Sequence, residues 1–265
     1  MQLVEKCDGL PLAIKSIGGV LCTKPKTKVE WQAVLKSNMW SIDGVQSVDH
    51  AFHLSYEDLS SPLKQCFIFC SLFPEDFEFR KTDLIYQWLS EGFLQDKVDF
   101  WELGNEYYTE LLVRNLLEAS DKFYDQSVCK MHDLLWSFAR QLGKDENCVL
   151  REGQVLSKPE GSLKIRRLSI EENEVNTKLI KNENGLRTLF LCGKPEIGLD
   201  DLCKVFSNLR LLDLSWSNFS SLPDSLCDLV HLRYLDVHRS EIRNLPNSIK
   251  NLKYLVYLNL NNYEN

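Results

Sequence analysis

Leu209-Arg210-Leu211-Leu212-Asp213-Leu214, Leu232-Arg233-Tyr234-Leu235-Asp236-Val237 and Leu255-Val256-Tyr257-Leu258-Asn259-Leu260 begin 23 residues apart. Leu186-Arg187-Thr188-Leu189-Phe190-Leu191 precedes them at the same step, and Ile165 to Ile170 is a weaker copy. A second marker keeps the period: Leu222-Pro223-Asp224-Ser225-Leu226 against Leu245-Pro246-Asn247-Ser248-Ile249. Alternating leucines turn one face of a short strand inward and leave the intervening residues outward. A 23-residue unit brings the chain back beside its predecessor, so the strands stack as a parallel sheet. Leu226 and Leu229, then Ile249 and Leu252, are placed to fill the interior from the return side.

This is the pattern of a leucine-rich-repeat solenoid, in which each unit buries its apolar face only against its neighbours. Such a solenoid carries no chemistry of its own; its strand face is a recognition surface. The expected outward residues are Leu211, Asp213, Ser215 and Trp216, then Tyr234, Asp236, His238 and Arg239, then Tyr257, Asn259, Asn261 and Asn262. Aromatic residues and Arg are enriched at binding hot spots, which makes Trp216, Tyr234, Asp236, His238, Arg239 and Tyr257 the candidate partner-binding set. No polar capping repeat follows the last strand before Asn265, so an open final core is expected, as in a solenoid cut short.

Upstream, helical periodicity replaces the repeat. Pro11 opens a helix whose apolar face is Leu12, Ala13, Ile17 and Val20. Val29 to Ser37 is expected as a short helix with Trp31, Val34 and Leu35 inward, and Val45 to Leu59 as another. Ser61-Pro62 reads as a cap with Pro in the first turn of a helix carrying Leu63, Cys66, Phe67 and Cys70. Thr82-Asp83 caps the next, which holds Leu84, Ile85, Trp88 and Leu89 and stops at Gly92. Glu102 to Leu117 is amphipathic through Leu103, Tyr107, Leu111 and Leu112. Phe123, Tyr124, Val128 and Cys129 suggest two strands around an Asp125-Gln126-Ser127 turn, a wing beside helices. Met131-His132-Asp133 leads into a helix with Leu134, Leu135, Phe138, Ala139 and Leu142 on one side.

Composition excludes several classes. The chain has 265 residues, 44% hydrophobic and 26% charged, with no apolar run long enough for a spanning helix and no signal peptide, and is neither disordered nor membranous. A net charge of −7 argues against non-specific nucleic-acid binding. A winged helix could still read DNA, but helix 82–92 offers only Arg80 and Lys81 nearby, against Asp83 and Glu91. The nine cysteines form no Cys-x-x-Cys pair and read as buried free thiols in a reducing compartment. Neither a Gly-x-Ser-x-Gly elbow nor a His-Glu-x-x-His motif occurs, and His50 and His53 lack a third metal ligand. Asp133 is a natural helix cap. A helix N-terminus has unpaired N–H donors that can receive a phosphate, with His132 beside it; a plain cap is the simpler reading of the pair.

The order of motifs adds a resemblance. Gly9-Leu10-Pro11-Leu12-Ala13 resembles the "GLPLA" motif of plant nucleotide-binding leucine-rich-repeat disease-resistance proteins. Cys66 to Asp76 is similar to that family's winged-helix segment in its coiled-coil class, as is Leu84 to Leu94, and Met131-His132-Asp133 matches its "MHD" motif. The implied fold is multidomain: an all-α helical subdomain ending at 1–38, a winged-helix subdomain over 39–150, and an incomplete α/β leucine-rich-repeat solenoid over 151–265. The resemblance implies a signalling switch in which bound ADP holds a closed state and exchange for ATP opens and oligomerises the protein. It implies that Pro11 lies against the nucleotide, that His132 reaches the ADP phosphate and that Asp133 holds the loop. It also implies a pathogen effector or guarded host protein as partner of the repeats, contacts with the family's N-terminal domains, and a cytoplasmic location, with nuclear or peripheral plasma-membrane placement as variants.

One departure is large. No G-x-x-x-x-G-K-[ST] loop occurs; Gly143-Lys144 and Gly193-Lys194 are the only Gly-Lys pairs, and neither is followed by Ser or Thr. Nucleotide affinity rests mainly on that loop's N–H cradle and Lys, so weak or no ADP binding is expected of this chain alone. No catalysis is expected either. The alternative reading is an interaction scaffold that binds no nucleotide.

Overall fold

A computed structural model describes residues 2–41, 47–94, 99–151, 165–171, 185–193 and 198–260. The chain divides into two compact units, Met1–Ile85 with Phe93–Leu142, and Tyr86–Gly92 with Gly143–Asn265.

In the first unit, α1 (Gln2–Lys6) turns through Asp8 and Gly9, both at positive φ, into α2 (Pro11–Thr23). Pro11 sits in the first turn of α2, where its missing N–H leaves no bond unmade. The 3.6-residue period of α2 puts Ala13, Ile17 and Val20 into a core shared with Val34, Trp40, Ala51 and Leu54. Val34 belongs to α3 (Lys28–Leu35), whose N-cap Thr27 accepts the Glu30 N–H; Ala51 and Leu54 belong to α4 (Ser47–Glu57). Only Val34 of α3 is buried. Trp31, expected inward, is 46% exposed, because a short helix covering one groove needs a single inward position. Val45, the expected start of α4, lies outside the described residues.

Helix α5 (Ser61–Phe69) follows, capped by Ser60 rather than Ser61, so Pro62 occupies its second position. Then come β1 (Phe79–Arg80) and α6 (Lys81–Glu91), which ends at Gly92 with φ +87°, a left-handed position that favours glycine. Helix α7 (Phe100–Val113) is capped by Asp99, whose carboxylate accepts the Trp101 and Glu102 N–H groups. It buries Gly104, Tyr108 and Leu111 rather than Leu103, Tyr107 and Leu112, which are half-buried. Strands β2 (Glu118–Ala119) and β3 (Val128–Lys130) complete an antiparallel sheet of order β1-β3-β2. The wing therefore differs from its expected form: Phe123 and Tyr124 lie in the turn, and the partner of β3 is Glu118–Ala119. Helix α8 (Asp133–Gly143) buries Leu135, Phe138 and Ala139 and leaves Leu134 44% exposed. Phe138 packs against Phe52, His53 and Tyr56 of α4 and Phe67 of α5.

The second unit is built on six parallel strands in sequence order: β4 (Asn147–Leu150), β5 (Arg167–Ile170), β6 (Thr188–Leu191), β7 (Leu211–Asp213), β8 (Tyr234–Asp236) and β9 (Tyr257–Asn259). Leu168, Leu189, Leu212, Leu235 and Leu258 pair in register; from Leu189 on this is the 23-residue period made spatial. The sheet starts one strand earlier than the periodicity indicates. Asn147–Leu150, placed by sequence with the wing, pairs instead with β5. Between β6 and β7 the chain returns as α9 (Leu199–Val205); later returns are single 3₁₀ turns, Asp224–Asp228 and Asn247–Asn251, each entered through a proline. Leu226, Leu229 and Leu252 fill the interior from that side, with Ile249 packed partly against it. Leu235 is fully buried, whereas Leu258 in the same register is 40% exposed.

All nine cysteines are free thiols. Cys22 and Cys192 are exposed rather than buried, while burial pushes Cys129 and Cys203 up to about 12, where the thiolate is not formed at neutral pH.

Candidate functional site

In the first unit, Pro11 and His132–Asp133 stand at the N-terminal ends of α2 and α8. These helices share a support: α4 gives Ala51 and Leu54 to the core around α2, and Phe52 and His53 to Phe138 of α8. Pro11 is exposed. His132, rather than Asp133, caps α8. Its carbonyl accepts the Trp136 N–H at 2.8 Å, and its Nδ1 accepts the Leu134 N–H at 3.3 Å. That bond leaves the proton of the neutral ring on Nε2. Asp133 is then the first helical residue, exposed, in the turn where a carboxylate is favoured by the helix dipole. Met131 before it is buried, and Trp136 donates its indole N–H to the Phe73 carbonyl at 2.9 Å. The cap is thus clamped on both sides, with His132 half-buried and Asp133 exposed. An apolar groove of about 630 Å³ in this unit, lined by Leu3, Cys7, Ile14, Trp31 and Leu35 among others, includes none of Pro11, His132 and Asp133.

In the second unit, the outward strand positions divide into two rows. Arg167, Thr188, Leu211, Tyr234 and Tyr257 form the first row. They turn away from the solenoid core but are covered by Tyr86–Gly92, the C-terminal half of α6. Glu91 pairs with Arg167 (Nε to Oε2, 3.0 Å) and accepts the Thr188 hydroxyl. Gln87 donates to the Tyr234 hydroxyl at 3.4 Å, and the Tyr86 ring meets Tyr257 at 5.1 Å. Tyr234 and Tyr257 stack at 4.3 Å with planes 1° apart. Tyr234 is therefore 1% exposed, and Asp236 in the next row 3%. Of the candidate partner-binding set, these two are covered by the chain itself. Asn261 and Asn262 lie outside the described residues.

What stays open is the turn after the strands. Asp213 and Asp236 each accept a backbone N–H two residues on, from Ser215 and His238, both at 2.9 Å. Ser217 and Ser240 each donate to the carbonyl three residues back at 2.6 Å. Between them, Trp216 (φ +60°) and Arg239 (φ +53°) adopt left-handed backbone, a conformation that disfavours residues with a Cβ by roughly 1–2 kcal/mol each. Gly193 fills the corresponding place one repeat earlier, at φ +88°. The Arg239 guanidinium lies 4.2 Å from the Trp216 ring centre, and Trp216 is 54% exposed. His238 Nδ1 meets Asp236 Oδ1 at 2.8 Å. Burial, and then the neighbouring Asp236, push the Asp213 carboxyl up to about 7.

A model of the disease-resistance protein winged-helix domain matches residues 72–139, and one of a leucine-rich-repeat region matches 164–265. The Arabidopsis thaliana disease resistance protein RPM1 is 33% identical over 237 residues, covering 85% of this chain and 25% of its own length. Arabidopsis thaliana RPP8 is 35% identical over 254 residues (87% and 27%), and Solanum bulbocastanum RGA2 is 32% identical over 233 residues (87% and 22%). The chain belongs to the plant nucleotide-binding leucine-rich-repeat disease-resistance family. It spans about a quarter of the length of these curated relatives. Met131–Asp133 falls inside the matched winged-helix domain of this disease-resistance chain, and Trp216 and Arg239 inside its repeat region.

Two arrangements in the chain were not legible in its sequence. The cover of the strand face by Tyr86–Gly92 had one available signal: polar Arg167 and Thr188 occupy the row held by Leu211, Tyr234 and Tyr257 elsewhere. The second is a charge network in the first unit, where Asp58 holds Lys24 at 2.6 Å and Arg114 at 2.9 Å, and Glu110 holds Arg114 at 2.9 Å. It joins residues 34 to 90 positions apart, which no local spacing reveals. Among the described residues no group of three His, Cys, Asp or Glu side chains could hold a metal, and no helix is long and apolar enough to cross a membrane.

Proposed function

We propose that this chain is the winged-helix and repeat portion of a plant immune receptor. ADP held near Pro11, His132 and Asp133 keeps the complete receptor closed, and recognition of a pathogen effector or guarded host protein at the repeats favours exchange for ATP and assembly. The observation that carries the reading is the clamped His132–Asp133 start of α8 inside the matched winged-helix domain. Imidazole Nε2–H, at the start of α8 where the Leu134 N–H is already taken by Nδ1, is a donor suited to a phosphate. The division into a helical subdomain (1–38), a winged helix and repeats belongs to the same proposal. In this chain alone, without the glycine-rich cradle, affinity for ADP is weak or absent, and calorimetry on the 265-residue chain reads it directly.

The test of the switch uses the complete receptor that carries this stretch. Asp133→Val removes an anion from the first turn of α8 and weakens the closed state more than the open one, so signalling rises without pathogen. A receptor that accumulates normally and stays silent would refute the role given to residues 131–133.

A further inference from the structure

The strand-end turns of the repeats raise a question the fold does not answer. The left-handed place in each turn suits glycine, and Gly193 takes it in one repeat. In the next two repeats the same place holds Trp216 and Arg239, whose side chains leave the core and stack on each other in the open. A large side chain at a position where a smaller one relieves the backbone marks a functional constraint.

The chemistry of the pair is directional. A guanidinium held over an indole ring through its central carbon, here at 4.2 Å, is restrained by the contact without using its N–H donors. Arg239 meets no carboxylate within salt-bridge distance among the described residues. The nearby acids are occupied: Asp236 is held by His238, the Tyr234 hydroxyl and the Asn259 amide, and Asp213 is buried and takes the Ser215 N–H. His238 adds its ring edge to Trp216 at 6.2 Å. The result is an exposed fork of donors held over one part of an exposed aromatic surface.

We propose that Trp216 and Arg239 form a preorganised seat for an Asp or Glu side chain of a protein partner, with the indole packing against the apolar stem beside that carboxylate. A planar fork pairs with a carboxylate through two parallel hydrogen bonds, a match a lysine cannot make. This inference rests on the recognition role given above to the repeats, and it names the chemistry they select: an acidic segment of the partner, seated past the strand ends rather than on the Tyr234 row.

The test is NMR of the 265-residue chain, observing the Trp216 indole N–H and the Arg239 Nε–H during titration with a hexa-glutamate peptide, a hexa-lysine peptide and inorganic phosphate. Saturable shifts of both signals with the glutamate peptide alone are expected. Trp216→Gly and Arg239→Gly fit the left-handed backbone, so they keep the fold with a thermal midpoint no lower than the parent's while weakening the peptide at least tenfold. Arg239→Lys, which keeps the charge and loses the fork, weakens it severalfold. Equal shifts at other exposed arginines, saturation by phosphate without response to the peptide, or unchanged affinity in the glycine variants would each overturn the proposal. Failure here concerns only the seat, because the Asp133→Val assay reads the nucleotide switch; conversely, a silent Asp133→Val receptor leaves these shifts unaffected.

Discussion

Glu91 and Arg167 are 76 residues apart in sequence and form a charge pair that scarcely touches water: Arg167 Nε lies 3.0 Å from Glu91 Oε2, with side-chain exposures of 4% and 1%. The Arg210 guanidinium donates to the Glu91 carbonyl at 3.3 Å, and Gly92 leaves it room. Burial, joined by the charges of Arg187 and Arg233, lowers Arg210 from its usual value, and the Glu91 charge opposes that shift. Removing Arg167 strands the buried Glu91 carboxylate, whereas removing Glu91 leaves Arg167 a second carboxylate, Glu146 at 3.3 Å. Arg167→Ala should destabilise the repeats by roughly 3–5 kcal/mol and Glu91→Ala by less, both above a surface pair at about 0–1 kcal/mol. Urea unfolding followed through the repeats checks this; a loss below 1 kcal/mol for both would show that the pair is solvated in solution.

Gly18 and Gly19 are neighbours in α2 with opposite surroundings. A Cβ on Gly19 would stand 2.4 Å from the Arg114 Cα and 2.7 Å from the Val113 carbonyl oxygen, both backbone atoms that cannot rotate away. A Cβ on Gly18 meets nothing within 4 Å. Gly19→Ala should therefore destabilise by about 1–3 kcal/mol through overpacking. Gly18→Ala should stabilise by about 0.5–1 kcal/mol, the ordinary gain of alanine over glycine in a helix interior. Thermal melts of the two variants, which differ only in position, read the close approach of α2 to the end of α7.

Asp213 makes stability depend on pH in an unusual direction. Its folded-state value is raised, from 3.8 to about 7, because burial and the adjacent Asp236 disfavour the charged form. A raised carboxyl binds its proton more tightly folded than unfolded, so the stability it contributes is present below about pH 4 and is lost as pH rises through about 7. His238 faces the same pair and Ser215 donates to Asp213. Asp213→Asn keeps the shape and removes the titration. Denaturation midpoints at pH 5 and pH 8 should differ less in the variant than in the parent chain; an equal difference would place the titrating group elsewhere.

How far the sequence could be read follows from which forces are local. The repeat was legible because a fixed period writes the same strand four times, and Leu189, Leu212, Leu235 and Leu258 fall in register, with Leu168 joining them from a weaker copy. The stop of α6 at Gly92 and the inward faces of α2 and α5 were legible because glycine, proline and a 3.6-residue period act within one turn, whereas Thr82-Asp83, expected as the cap of α6, lies inside a helix that starts at Lys81. Trp31, Leu134 and the wing strands were misplaced because short elements satisfy their burial with one or two side chains, and tertiary contacts choose which. Tyr234 and Asp236 read as open because nothing local announces that Gln87 meets Tyr234, or that Tyr234, His238 and Asn259 close around Asp236. Trp216 and Arg239 were named as contacts, but their left-handed backbone and mutual stacking appear only in three dimensions.

His132 has two separable jobs. Its Nδ1 caps α8 through the Leu134 N–H, and the proposed contact with a phosphate uses Nε2. Replacing the side chain by alanine removes the cap and should lower stability by about 0.5–2 kcal/mol. Asparagine is a strong N-cap, so His132→Asn should recover most of that stability. It cannot recover the second job, because its short amide does not extend as far as Nε2. In the complete receptor, ADP retained through purification should then fall in both variants, while the melting temperature falls only in His132→Ala. If asparagine restored nucleotide retention together with stability, the effect of position 132 would be explained by helix capping alone, and the phosphate contact would have to be assigned to other residues.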